Sequence, residues 1–201
     1  MQAHETLLRN GGEIALQNAS RFFMKDDPVH HTLKNICGRL QDLDVDYAVV
    51  GGMALVAHGY IRTTVDVDIL LNQDGLKKAH DALEGLGYRP PFEGSKNLRD
   101  TQTGVRIEFL VSGGYPGDGK PKPVIFPEPS DTSVVIDGIS YLSLNSLLEL
   151  KLASGMTNPG RIRDLADVQE LIRTLELPEK RAEELNPFVR EKFVELWAGI
   201  H

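Results

Sequence analysis

Asp66 and Asp68 stand two apart in the apolar run Asp66-Val67-Asp68-Ile69-Leu70-Leu71, downstream of a diglycine at Gly51-Gly52. In a β-strand, residues i and i+2 leave the same face, so the two carboxylates project together. On that pattern Val65, Val67 and Ile69 turn into the core. Aspartate is depleted in strands. Two on one face suit a hard divalent cation, Mg²⁺ or Mn²⁺, that takes oxygen ligands and shares them with a substrate phosphate. A two-metal site calls for one more carboxylate. Glu108 is the candidate: in Val105-Arg106-Ile107-Glu108-Phe109 the apolar residues share one face, and Arg106 and Glu108 share the other. Asp100 is a rival third ligand.

The diglycine follows the strand-like Tyr47-Ala48-Val49-Val50 and precedes a helical pattern. Strand, Gly-Gly, helix accepts phosphate, because glycine has no Cβ to obstruct it and the new helix offers free N–H groups. By itself the pair is also an ordinary tight turn. Neither Gly-x-Gly-x-x-Gly nor Gly-Lys-Ser/Thr accompanies it, so dinucleotide and P-loop readings lose support. Arg62 and Thr64 lie just before the acidic strand, with Thr64 on the face of the aspartates. Arg62 either pairs with triphosphate oxygens or orients the aspartates.

These residues need a frame. Residues 1–27 read as a helical N-terminal extension broken at Gly11-Gly12, and Pro28 opens a second helix carrying Leu33, Ile36, Cys37 and Leu40. The pattern then predicts a strand at 47–50, a helix at 51–58, a strand at 65–71 and a helix at 76–86 closed by Gly87. Next come a hairpin of 97–101 with 105–111 turning near Thr103-Gly104, and a loop over 112–123 holding Lys120 and Lys122. Short strands around 124–126, 134–136 and 139–141 follow. Beyond Ser143 the pattern is helical: 145–155, 161–176 and 187–199, with Asn158-Pro159 as a cap and first turn. The class is α+β, divided into an extension (1–27), a mixed core (28–142) and a C-terminal helical region (143–201).

The 201 residues suffice for one substantial core, and a net charge of −7 argues against a protein that coats nucleic acid or binds anionic membranes. It leaves room for a local basic patch on RNA from Lys120, Lys122, Lys151, Arg161 and Arg163. No apolar run is long enough to span a bilayer. The start, Met1-Gln2-Ala3-His4-Glu5, has no secretory character. Cys37 is the only cysteine, which rules out an internal disulfide and fits a reducing cytoplasm. It lies on an apolar helix face and reads as core. His30, His31, His58 and His80 lack metal-ligand spacing and read as structural or surface residues.

Gly51-Gly52 followed by Arg62-x-Thr64-x-Asp66-x-Asp68 resembles the nucleotidyltransferase superfamily, most nearly its AbiEii-type toxins and related minimal enzymes. The resemblance is strongest over 47–71 and extends loosely through Glu108 into 144–176. It implies a polymerase-β-like mixed sheet with flanking helices, which uses Mg²⁺ to move a nucleoside monophosphate from a triphosphate such as ATP to an acceptor. Asp66 and Asp68 would hold the metals. Glu108 would complete the cluster and help deprotonate the acceptor. Gly51, Gly52, Arg62, Thr64 and Lys151 would serve the nucleotide. The toxin-type enzymes carry a lysine and an aspartate in their C-terminal helices, here Lys151 and Asp164 as further catalytic candidates. Lys151 shares a face with Leu147 and Leu148, and Asp164 shares a stripe with Val168, Leu171 and Leu175. The two either look into the cleft or form a structural ion pair. Arg161, Arg163 and Asp167 read as solvated i,i+3 and i,i+4 partners. A tRNA 3′ end, a protein hydroxyl or a small antibiotic could be the acceptor, and a toxin would have a cognate antitoxin. The alternative is a non-catalytic nucleotide-binding or interaction module on the same fold.

Overall fold

The computed structural model describes residues 19–22 and 24–200. Of the expected N-terminal extension, residues 19–22 are helical and the chain turns before Pro28; its earlier part, with Gly11-Gly12, lies outside the described residues. Helix α1 (Pro28–Asp42) begins where Asp27 Oδ1 accepts hydrogen bonds from the N–H groups of Val29 and His30, with proline at the first position. Its buried stripe is Leu33, Ile36, Cys37 and Leu40.

Strand β1 (Tyr47–Val50) is buried throughout and runs directly into α2 (Gly51–Ala57). Strand β2 (Asp66–Leu71) leads to α3 (Gln73–Leu83), capped by the Asn72 side chain on Gly75 N. Three strands follow, β3 (Tyr88–Arg89), β4 (Leu98–Asp100) and β5 (Arg106–Val111). A short helix, α4 (Pro129–Thr132), precedes the hairpin β6 (Ser133–Ile136) and β7 (Ile139–Leu142). The C-terminal helices are α5 (Leu144–Thr157), α6 (Ile162–Thr174) and α7 (Pro187–Ala198). A 3₁₀ turn at Pro159–Arg161, capped by Asn158, joins α5 to α6.

The strands form one seven-stranded mixed sheet in the order β3-β4-β5-β2-β1-β7-β6. Strand β2 is antiparallel to β1 and parallel to β5, and β1 is parallel to β7. The expected α+β frame is therefore present. One apolar cluster joins Ile36 and Leu40 of α1, the sheet residues Val67, Ile69, Ile107 and Phe109, and Leu148, Leu171 and Phe193 of the C-terminal helices. Among the described residues no helix is long and apolar enough to cross a membrane.

Three local expectations are corrected. Val65 is 81% exposed rather than in the core, because the strand and its alternation begin only at Asp66. Helix α3 stops at Leu83 with Glu84 as its C-terminal cap. Gly87 serves the later turn into β3, where Gly85 and Gly87 both take positive φ. Residues 124–126 form no strand; Phe126 only exchanges backbone hydrogen bonds with Gly113 and Gly114, both at 2.8 Å.

Candidate active site

Sheet register assembles the acidic residues. Asp68 lies beside Val50 at the end of β1 on one side and beside Glu108 of β5 on the other, and Asp66 lies beside Arg106. Each of Asp66, Asp68 and Glu108 offers a carboxylate oxygen within 4.8 Å of the other two, and all three side chains are partly buried. Asp100 does not join them. It is buried on β4, accepting from Thr32 Oγ1 at 2.9 Å and Gln102 N at 2.8 Å, and so fixes the β4–β5 turn.

The electrostatics of the triad fit a divalent cation. Burial, then the charge of Asp66, push the Asp68 carboxyl up to about 6, against the opposing pull of Lys151, Arg161 and Arg106. A carboxylate strained by a like charge is relieved by a cation, and a set of hard oxygen donors suits Mg²⁺ or Mn²⁺. Thr64 Oγ1 donates to Asp66 Oδ1 at 2.8 Å and fixes that side chain. The Arg106 guanidinium lies directly against Glu108.

The diglycine has a reason within the protein itself. Gly51 has φ 61, and a Cβ there would fall 1.8 Å from Asp68 Oδ2. A Cβ on Gly52 would fall 2.7 Å from both Cβ and Oγ1 of Thr64. The first glycine makes room for Asp68 and the second for the threonine that holds Asp66. Two motifs that stand apart in the sequence form one packing unit.

A second ionic layer joins the C-terminal helices to this unit. Lys151 on α5 is 6% exposed, and its Nζ donates to Asp164 Oδ1 at 3.0 Å and Asp167 Oδ2 at 2.8 Å. Asp164 Oδ2 also accepts from Ser154 Oγ at 2.7 Å and Arg161 Nε at 2.8 Å. Burial raises the Asp164 carboxyl, but Lys151, the Ser154 hydroxyl and Arg161 together hold it below the usual carboxylate range. Arg62 reaches across to Asp167: its Nη2 donates to Oδ2 at 3.2 Å and its Nε lies 3.1 Å from Oδ1.

Sequence reasoning misplaced some of these residues. Asp167 is 2% exposed, not solvated, because α6 turns it toward Lys151 and Arg62. Its i,i+3 spacing from Asp164 was the signal available, since that spacing puts both on the face that meets α5. Arg62 contacts neither Asp66 nor Asp68 by hydrogen bond or ion pair; its partners are Asp167 and the Thr63 carbonyl. Lys122 is unsuited to an RNA patch, since its Nζ donates to Pro116 O at 2.7 Å and Asp118 Oδ1 at 2.6 Å. His30 pairs with Asp27, and His58 Nε2 lies 2.7 Å from Leu142 O, so both are structural. Cys37 is buried in the core, and burial pushes its thiol up to about 12 despite a hydrogen bond with Tyr47.

No protein-family model matches the chain, and no curated protein matches it in sequence. Among solved structures, the crystal structure of ANT(2″)-Ia in complex with adenylyl-2″-tobramycin superposes with TM-score 0.54 at 12% identity, covering 81% of this chain and 95% of that one. The solution structure of the antibiotic-resistance factor ANT(2″)-Ia gives TM-score 0.52 at 13% identity, covering 84% and 90%. The fold is that of a nucleotidyltransferase. At such identity the likeness is one of fold. Within this nucleotidyltransferase fold, the triad, the diglycine and the ionic layer stand on the geometry of this chain.

Three outcomes follow for this site. Gly51→Ala should lower the midpoint of urea unfolding, because the left-handed backbone alone costs a side chain about 1–2 kcal/mol and Asp68 must also move; an unchanged midpoint would contradict the packing account. A carboxyl raised in the folded state costs stability in full once the pH passes its folded value, here about 6. Asp68→Asn in EDTA at neutral pH should therefore stabilise the fold by roughly 1–3 kcal/mol while abolishing any Mg²⁺-dependent rise in melting temperature. Asp164 has the opposite sign: its stabilising contribution is present above the ordinary carboxylate range and drains away as pH falls through its lowered value. Unfolding free energy measured down an acid series should fall less steeply in Asp164→Asn than in the wild type, and parallel slopes would refute the ion-pair assignment.

Proposed function

We propose that the chain is a divalent-metal-dependent nucleotidyltransferase that moves a nucleoside monophosphate from a triphosphate to an acceptor hydroxyl. The observation that carries this reading is the convergence of Asp66, Asp68 and Glu108 within 4.8 Å in a nucleotidyltransferase fold. These three residues would hold Mg²⁺, which when bound neutralises phosphate charge and lowers the pKa of a hydroxyl.

The chain's own residues do the rest. Thr64 keeps Asp66 turned toward the cluster, and Gly51 lets Asp68 approach the backbone at the start of α2. Glu108, paired with Arg106, would take the acceptor's proton. The acceptor oxygen attacks the α-phosphorus in line, a new P–O bond forms, and the bond to pyrophosphate breaks. Positioning and charge neutralisation supply most of the acceleration.

The finer reading, an AbiEii-type toxin with a cognate antitoxin, rests on the resemblance of Gly51, Gly52, Arg62, Thr64, Asp66 and Asp68 to that motif. As to the acceptor, the net charge of −7 and the internal engagement of Lys122 and Lys151 weigh toward a protein or small-molecule hydroxyl over a long RNA.

Incubating the protein with each α-labelled triphosphate and, in turn, total RNA, total protein and an aminoglycoside reports base preference and acceptor class together. Asp66→Ala should abolish label transfer while leaving the circular dichroism spectrum unchanged; wild-type transfer by that variant would sink the assignment. Mg²⁺-dependent triphosphate binding without transfer to any acceptor would favour the non-catalytic module.

A further inference from the structure

The basic residue that motif resemblance aims at the triphosphate is Lys151, yet its ammonium is buried and bonded to Asp164 and Asp167 at 3.0 and 2.8 Å. Swinging it to a phosphate would leave two buried carboxylates short of their shared cation, a costly rearrangement. Arg62 is engaged on both oxygens of Asp167, Lys122 on Asp118 and a carbonyl, and Arg106 on Glu108.

Arg161 is built differently. Its Nε donates to Asp164 Oδ2 at 2.8 Å and reaches Ser154 Oγ at 3.3 Å, while its side chain stays 57% exposed. Its two terminal nitrogens make no hydrogen bond among the described residues. An arginine pinned along one edge and open along the other is pre-organised for phosphate oxygens, which its planar fork matches. It is also the N-cap residue of the thirteen-residue helix α6, where the helix dipole favours an anion. The network leads from Arg161 through Asp164, Lys151 and Asp167 to Arg62, two residues before the Thr64 that holds Asp66.

We infer that Arg161 is the residue that grips the pyrophosphate end of the triphosphate, and that Lys151 is the buried counter-ion holding its anchor, Asp164, in place. The inference rests on the nucleotidyl-transfer reading. It also explains the charge of the ionic layer. Three cations, Lys151, Arg62 and Arg161, face two carboxylates, Asp164 and Asp167, so the layer carries net charge +1 and shows that excess to solvent at Arg161.

The test is calorimetric binding of ATP, of inorganic triphosphate and of AMP, each with Mg²⁺ and without acceptor, to wild type, Arg161→Gln and the control Arg163→Gln. Arg161→Gln should weaken ATP and inorganic triphosphate by about tenfold or more, leave AMP binding near wild type, and keep the native circular dichroism. Arg163→Gln should bind all three as wild type does. Unchanged triphosphate affinity in Arg161→Gln, or an equal loss for AMP and ATP, would overturn the assignment of Arg161. A wild type that binds no triphosphate at all would instead overturn the nucleotidyl-transfer reading, and the role of Arg161 with it. Should Arg161→Gln fold poorly, Arg161→Lys keeps a cation near Asp164 but loses the fork, and the same triphosphate-specific loss is expected.

Discussion

Holding Asp66, Asp68 and Glu108 within 4.8 Å costs free energy, because three carboxylates repel one another and two of them stand on one six-residue strand. The surrounding structure is arranged around that repulsion. Strand β2 is flanked on both sides by longer-range pairing, antiparallel to β1 and parallel to β5, so it cannot slip to move the charges apart. Val67, Ile69, Ile107 and Phe109 anchor the opposite face in the core. Arg106 attends Glu108 and Thr64 attends Asp66, while Gly51 lets the backbone close over Asp68. The core thus supplies the stability that the acidic cluster consumes.

The ionic layer of Arg62, Lys151, Arg161, Asp164 and Asp167 is a different kind of device. Buried ion pairs contribute little net stability compared with apolar packing, but breaking one is expensive. Their value here is geometric. They tie the loop before β2, which carries Thr64, to two helices that arrive only after residue 143, and so link the end of the chain to the middle of the sheet. The same apolar cluster runs through both parts, so the C-terminal helices meet the sheet through hydrophobic contact and through charge.

Much of the site was legible because it obeys local periodicity. Alternation marked the polar face of β2, with Asp66 and Asp68, and that of β5, with Glu108, and the parallel register of the two strands then brought those faces together. Two helical starts appeared through proline, Pro28 and the capped Asn158-Pro159. What stayed hidden depends on contacts between segments distant in sequence. The clash that forbids a side chain at Gly51 involves Asp68, and the burial of Asp167 depends on Arg62, more than a hundred residues away. Val65 was misread for a smaller reason: a strand's alternation has no force before its first ladder hydrogen bond. Asp100 looked like a ligand because its type fits, and only the turn it braces shows otherwise.

The burial of Cys37 has a practical consequence. The chain has one thiol, enclosed in the core and reluctant to ionise at neutral pH. Native protein should therefore be nearly silent toward maleimide and iodoacetamide dyes. Val65, largely exposed and one residue ahead of Asp66, is a position where a single engineered thiol could carry a fluorophore or spin label beside the acidic cluster. The molecule thus offers a clean background for reporting what binds at the acidic cluster.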